Sequence, residues 1–179
     1  MSKAKIAAVL VTAGVAVLVV SSTLGRELYA GRTPSLTSFA IIHFAGYLFF
    51  LLMPVEALVP IYQAEDHGAL VLIALALVTA LAAQAIDYAI GRAVAESTLH
   101  RLIGEARYER FRAVIGRWGG SAIFLFNLFP LSSPNMMLVA GLTRYGAARA
   151  FLYSGLGLTA KYSLIVYVFE TTSLWWAAG

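Results

Sequence analysis

The sequence predicts an all-α integral membrane protein. It combines two opposed re-entrant helical hairpins with three full transmembrane helices and an amphipathic interfacial helix, an inverted-repeat, transporter-like architecture. Composition is the first observation: the 179 residues are 60% hydrophobic and 12% charged, with mean hydropathy +0.81, against roughly 25% charged in a soluble domain. The second is length. A span needs about 20 mostly apolar residues, so the chain holds about four to six membrane segments and no separate soluble domain. The third is that two apolar runs are too short to cross and are broken by prolines beside polar residues, at 54–60 and 130–135.

Composition also excludes several functions. The absence of cysteine rules out disulfides and thiolate metal sites, and three scattered histidines without an HExxH spacing predict no metal and no cofactor. The basic balance, net +4 with a pI near 9.5, reads as cytoplasmic loops rather than a nucleic-acid surface.

In the N-terminal part, 1–38, Lys3 and Lys5 precede the apolar run 6–20. This is the layout of a signal peptide, and the later membrane segments favour an uncleaved first helix. A polar connection runs from Arg26 to Pro34, and Ser35 to Ser38 supply helix N-caps before Phe39.

Residues 39–66 form the first hairpin. Its arms, 39–53 and 57–64, are each too short to cross about 30 Å of hydrocarbon, and Pro54, Glu56 and Pro60 stand at the tip. Backbone broken at that depth must be covered by protein or line a water-filled cavity. Residues 69–90 are a full span ending in Asp87-Tyr88-Ala89-Ile90-Gly91-Arg92. From 93 to 117 a helical stripe of Leu99, Leu102, Ile103, Ala106 and Phe111 lies among arginines and glutamates, which predicts an amphipathic interfacial helix. The positive-inside rule places the N-terminus and 92–117 in the cytoplasm. The second hairpin, 120–143, has Asn127, Pro130, Ser132, Ser133, Pro134 and Asn135 about its tip. The last span, 149–170, carries Lys161 near its middle, and 171–179 is an interfacial tail with Trp175 and Trp176. If Lys3, Lys5 and the arginine-rich helix share a side, the hairpins enter from opposite faces, as in an inverted repeat whose broken helices build a site near the midplane.

The series Pro54-Val55-Glu56, Asp87-x-x-Ile90-Gly91-Arg92, Pro130, Ala140-Gly141 and Phe151 resembles the DedA family, also called the VTT or SNARE-associated Golgi protein family. The likeness covers roughly 39–170. It implies two opposed re-entrant hairpins, a prokaryotic inner-membrane location, and lipid flipping or scrambling or proton-coupled transport. The chain departs from the bacterial pattern in two places. Where the family has an upstream acid only His43 could stand in, and where its second hairpin has two arginines this one reads Asn127-Leu128-Phe129-Pro130-Leu131-Ser132-Ser133. Pro134-Asn135 is closer to the eukaryotic scramblase branch.

Glu56 is the sharpest candidate, because a carboxylate at membrane depth is expensive and is kept for a purpose. It would bind a proton or a cationic substrate group; the plainer reading is a cap on the short arm after it. Asp87 would pair with Lys161 or Arg92, or Arg92 simply marks the cytoplasmic boundary and snorkels. Asn135 opens a return arm whose N-terminus suits a phosphate headgroup, or else the tip polar groups bond the hairpin to itself. The arginine-rich helix would attract anionic lipid, or serves as a connector with its field diluted by interleaved acids. The expected function is translocation of a phospholipid or lipid-linked anion, with proton coupling through Glu56; alternatives are a proton-coupled small-solute carrier and a non-transporting scaffold. Expected partners are membrane lipids and their anionic headgroups, protons and further copies of the chain, with no nucleic acid. Ser154-Gly155-Leu156-Gly157 is not a nucleophile elbow, so an enzyme is not expected.

Overall fold

The computed structural model describes residues 15, 18–19, 21–31, 33–48, 55–93, 104–129 and 133–178, without the side chains of 24, 28, 133–135 and 174–178. The expected first span therefore lies mostly outside the described residues, as do Pro54, Pro130, Ser132 and the stretch 94–103. All the regular structure described is helical. A π-helical turn, Ser21–Gly25, runs into α1 (Arg26–Tyr29). The expected polar connection thus starts later than Arg26, where Gly31 takes a left-handed φ of +62° that costs a glycine little.

Helix α2 (Leu36–Leu48) begins three residues before the expected arm. Ser35 is its cap, its hydroxyl accepting the Ser38 N–H at 3.2 Å. A 3-10 turn (Val55–Ala57) continues into α3 (Leu58–Gln63), with Pro60 in the first turn, where no intrahelical N–H is needed. Then come α4 (Ala69–Ala93), α5 (Glu105–Trp118), α6 (Gly120–Leu128), α7 (Ser133–Leu142) and α8 (Ala147–Ala178). Among the described residues α4 and the stretch Ala147–Ser173 of α8 are each long and apolar enough to cross a membrane. Of the expected stripe, Phe111 is buried in α5 and Ala106 is exposed, while Leu99, Leu102 and Ile103 lie outside the described residues; Tyr108 and Ile115 join Phe111 on the buried face at helical spacing.

Ser38 bonds Tyr62, and Gly46 lies so close to Val55 that a Cβ would collide with it; early residues of one arm therefore meet late residues of the other. Helix α2 lies along α4 as α6 lies along α8, while α7 packs on α4 and α3 touches α4 and α8 alike. Helices α4 and α7 approach closely. A Cβ on Gly91 would strike the Leu138 carbonyl, and one on Gly141 the Tyr88 carbonyl, so two small residues bring the backbones together, as between helices in membranes.

Two apolar clusters result. One gathers Phe39, Leu58, Tyr62, Ala80, Leu158 and Val166, the other Phe111, Ile123, Met136, Val139 and Ala150. Only 28% and 33% of the most apolar stretches of the two long helices are buried inside the protein. The rest of those stretches is half-buried or exposed.

Candidate functional site

The first cluster encloses a polar chain that no local spacing reveals. Helix α2 presents His43 and Tyr47 on one face at i, i+4, α8 contributes Lys161 and Tyr162, α4 supplies Thr79, and the 3-10 turn brings Glu56. Lys161 Nζ donates to Glu56 Oε1 at 2.8 Å and to the Tyr47 hydroxyl at 2.7 Å. The Tyr47 and Tyr162 hydroxyls are 3.0 Å apart, His43 Nε2 is 2.7 Å from the Tyr162 hydroxyl, and His43 Nδ1 is 2.7 Å from Thr79 Oγ1. The Lys161 ammonium also lies 5.4 Å and 5.2 Å from the ring centres of Tyr47 and Tyr162, which stabilises a cation removed from water.

Exposure is graded along this chain. His43 and Tyr162 are fully buried, the Lys161 side chain is 6% exposed, and Glu56, at 23%, is the open end. A buried ion pair is tolerable only when further hydrogen bonds complete it, and Tyr47 provides one. The network admits two proton arrangements. In one, Tyr162 donates to Tyr47, His43 Nε2–H donates to Tyr162, and Thr79 donates to Nδ1. In the other every hydroxyl is reversed, Nδ1–H donates to Thr79, and Thr79 donates to the Leu75 carbonyl at 2.7 Å. Passing between them reverses the O–H dipoles and moves the histidine proton across its ring.

A second polar cluster joins α4, α6 and α8. Gln84 Nε2 donates to Asn127 Oδ1 at 2.6 Å, Asn127 donates to the Ile123 carbonyl at 2.8 Å, and the Ser154 hydroxyl donates to Gln84 Oε1. One turn further along α4 is Asp87, 2% exposed, whose Oδ2 has no hydrogen-bond partner. A third cluster lies outside the long helices. The Glu27 carboxylate accepts the Ser35 N–H at 2.9 Å and the hydroxyls of Ser35 and Ser38 at 2.5 and 2.6 Å, and Ser38 bonds Tyr62 at 2.7 Å. The Ser35 and Ser38 hydroxyls hold the Glu27 carboxyl below the usual carboxylate range, because bonds to the charged form favour it.

The candidate residues are brought together in an unexpected combination. Glu56 and Lys161 meet each other, whereas the expected pairing assigned Lys161 or Arg92 to Asp87. Lys161 is committed to Glu56 and Tyr47, and Arg92 is exposed at the end of α4. Glu56 turns its carboxylate to α8 rather than capping α3, whose N-terminus has no side-chain cap. His43 is inside the network, bonded to Thr79 and Tyr162. Asn127, expected at the second tip, is a buried residue in the last turn of α6 bonded across to α4. The backbone of Ser133, Pro134 and Asn135 opens α7, but their side chains, and Pro54, Pro130 and Ser132, are outside the described residues. Sequence reasoning missed Tyr47, Thr79, Gln84, Ser154 and Tyr162. The available signal was helical spacing: His43 to Tyr47 and Gln84 to Asp87 each place two polar groups on one face of an apolar helix.

Among the described residues no group of three His, Asp or Glu side chains is placed to hold a metal ion. No protein-family model, no curated protein and no solved structure matches the chain.

Proposed function

We propose that this chain is a membrane transporter of the DedA/VTT type that moves a phospholipid or lipid-linked anion across the bilayer, with the Glu56–Lys161 pair as its proton-sensitive latch. The observation that carries the reading is the 2.8 Å contact between a carboxylate on the first hairpin and an ammonium on the last long helix. A charge pair at that depth is costly and confers little net stability, so a role in switching accounts for it better than a role in holding the fold.

The membrane setting is supported by two long apolar helices of which only about a third or less is buried inside the protein and by the charge-poor composition. The inverted-repeat reading is supported by the packing of the first arms, α2 along α4 and α6 along α8, which an exchange of the two halves interchanges. Under that exchange Tyr47–Tyr162, joining α2 to α8, corresponds to Asn127–Gln84, joining α6 to α4. Both hairpins would enter the bilayer from opposite faces and meet at these two polar layers.

Mechanistically, protonating Glu56 neutralises one partner and releases Lys161 to Tyr47 and the two rings. The first hairpin then loses its charged tie to α8, which frees the tip to move while the reversible hydroxyl chain readjusts. The test is reconstitution of the full chain with labelled lipid at two pH values, comparing the parent with Glu56→Gln. The parent should translocate with a clear pH dependence, and Glu56→Gln should lose that dependence; an unchanged rate and pH profile in the variant would sink the latch. If labelled lipid stays in place in every sample while a small solute crosses, the solute-carrier alternative takes over.

A further inference from the structure

Away from the two polar layers, a cleft of about 810 Å³ opens between α5 and the turn that joins α7 to α8. Its walls carry Arg112, Arg117 and Arg149 against a single acid, Glu109, with Tyr145 and the side-chain-free Gly116 between them. Three guanidinium groups face one carboxylate, and that carboxylate is already engaged, since Arg112 reaches Glu109 at 3.7 Å. Arg117 and Arg149 have no carboxylate partner among the described residues.

The position of Arg149 is informative. It sits in the first turn of α8, where the helix dipole is positive and an acid is normally preferred, yet that turn contains none. A cation at the positive end of a 32-residue helix is unfavourable unless an anion comes to it. Arg117, whose guanidinium lies 5.6 Å from the centre of the Trp118 ring, faces the same space. Planar guanidinium forks match phosphate oxygens in pairs. The cleft has room for more than a bare phosphate, and Trp118, 59% exposed, is the kind of amphipathic ring that settles at headgroup level.

We infer that this cleft binds a phosphate oxyanion, held by Arg117 and Arg149, and that its source is the headgroup of an anionic phospholipid. The oxyanion site stands on the cleft alone; only the lipid source rests on the membrane reading above. The binding residues are distinct from Glu56 and Lys161, so failure of the latch would leave the site intact.

The full chain in detergent micelles is titrated with dihexanoyl phosphatidic acid by calorimetry, and separately with inorganic phosphate. The double variant Arg117→Gln/Arg149→Gln is compared with Arg107→Gln/Arg110→Gln, which removes the same charge from the exposed face of α5 outside the cleft. The expected result is at least a tenfold loss of phosphatidic acid affinity in the first variant, little change in the second, and unaltered thermal melting in both. Inorganic phosphate competing for the same site with comparable affinity would support the oxyanion site and transfer its source from lipid to solution. Equal losses in the two variants would reduce the effect to diffuse charge and overturn the site. So would a parent protein that binds neither probe.

Discussion

Removing one member of the Glu56–Lys161 pair should destabilise the protein far more than removing both. Breaking a buried pair leaves an uncompensated charge at a cost of about 3–5 kcal/mol. The Lys161 side chain is 6% exposed and that of Glu56 23%, so partial solvation of the carboxylate sets the lower end of that range for Lys161→Met, about 3 kcal/mol. Glu56→Gln strands the deeper charge but keeps an amide oxygen near the ammonium, and Tyr47 and the two rings still hold it, so we expect about 3 kcal/mol there as well. The double variant has no charge left to strand and should cost about 1 kcal/mol, because replacing a whole buried pair is close to neutral, so the two single losses together far exceed the double. Equilibrium unfolding in mixed dodecyl maltoside and dodecyl sulfate micelles, followed by far-ultraviolet circular dichroism, measures all four corners of the cycle. Single effects that add to the double within about 0.5 kcal/mol would show that the two charges do not sense each other, and the latch would lose its physical basis.

Two further outcomes test the remaining packing and polar features. Gly141→Val should lower the melting temperature by an amount corresponding to about 1–3 kcal/mol, because its side chain would be driven into the Tyr88 carbonyl; a variant as stable as the parent would mean that α4 and α7 are not in backbone contact. Asp87→Asn should cost less than about 1 kcal/mol, since Asp87 Oδ2 has no partner to lose, and a loss of the size expected for a broken buried pair would reveal an ion partner for Asp87.

Much of the secondary structure was legible in the sequence because hydrophobic runs and their breaks are local signals. The long span ending near Arg92 runs to Ala93, and Ser35 caps α2 as its residue type suggested. The boundaries that moved did so for local reasons. Helix continues to Tyr29 through Arg26 and Glu27, because charged residues with long stems are compatible with a helix, and the carboxylate of Glu27 then finds Ser35 and Ser38 across the bend.

The candidate site was legible only as separate expensive residues. Glu56 and Lys161 each stood out as a charge inside an apolar run, but they are 105 residues apart, and their pairing depends on which helix α3 and its preceding turn pack against. Asp87 was an equally reasonable partner for Lys161 on charge alone. Nothing local marks the tyrosines: only the approach of α2 and α8 aims Tyr47 and Tyr162 at one another.

Composition and periodicity therefore decided which segments are helical, which of them are apolar enough to cross a membrane, and which charges need an explanation, since these follow from transfer free energies and backbone geometry along the chain. The tertiary structure decided the partners: Glu56 with Lys161, Gln84 with Asn127 and Ser154, and Arg117 and Arg149 around one cleft. Hydrogen bonds and ion pairs act over a few ångströms, and where helices remote in sequence are brought within that range depends on how their small and large side chains interlock.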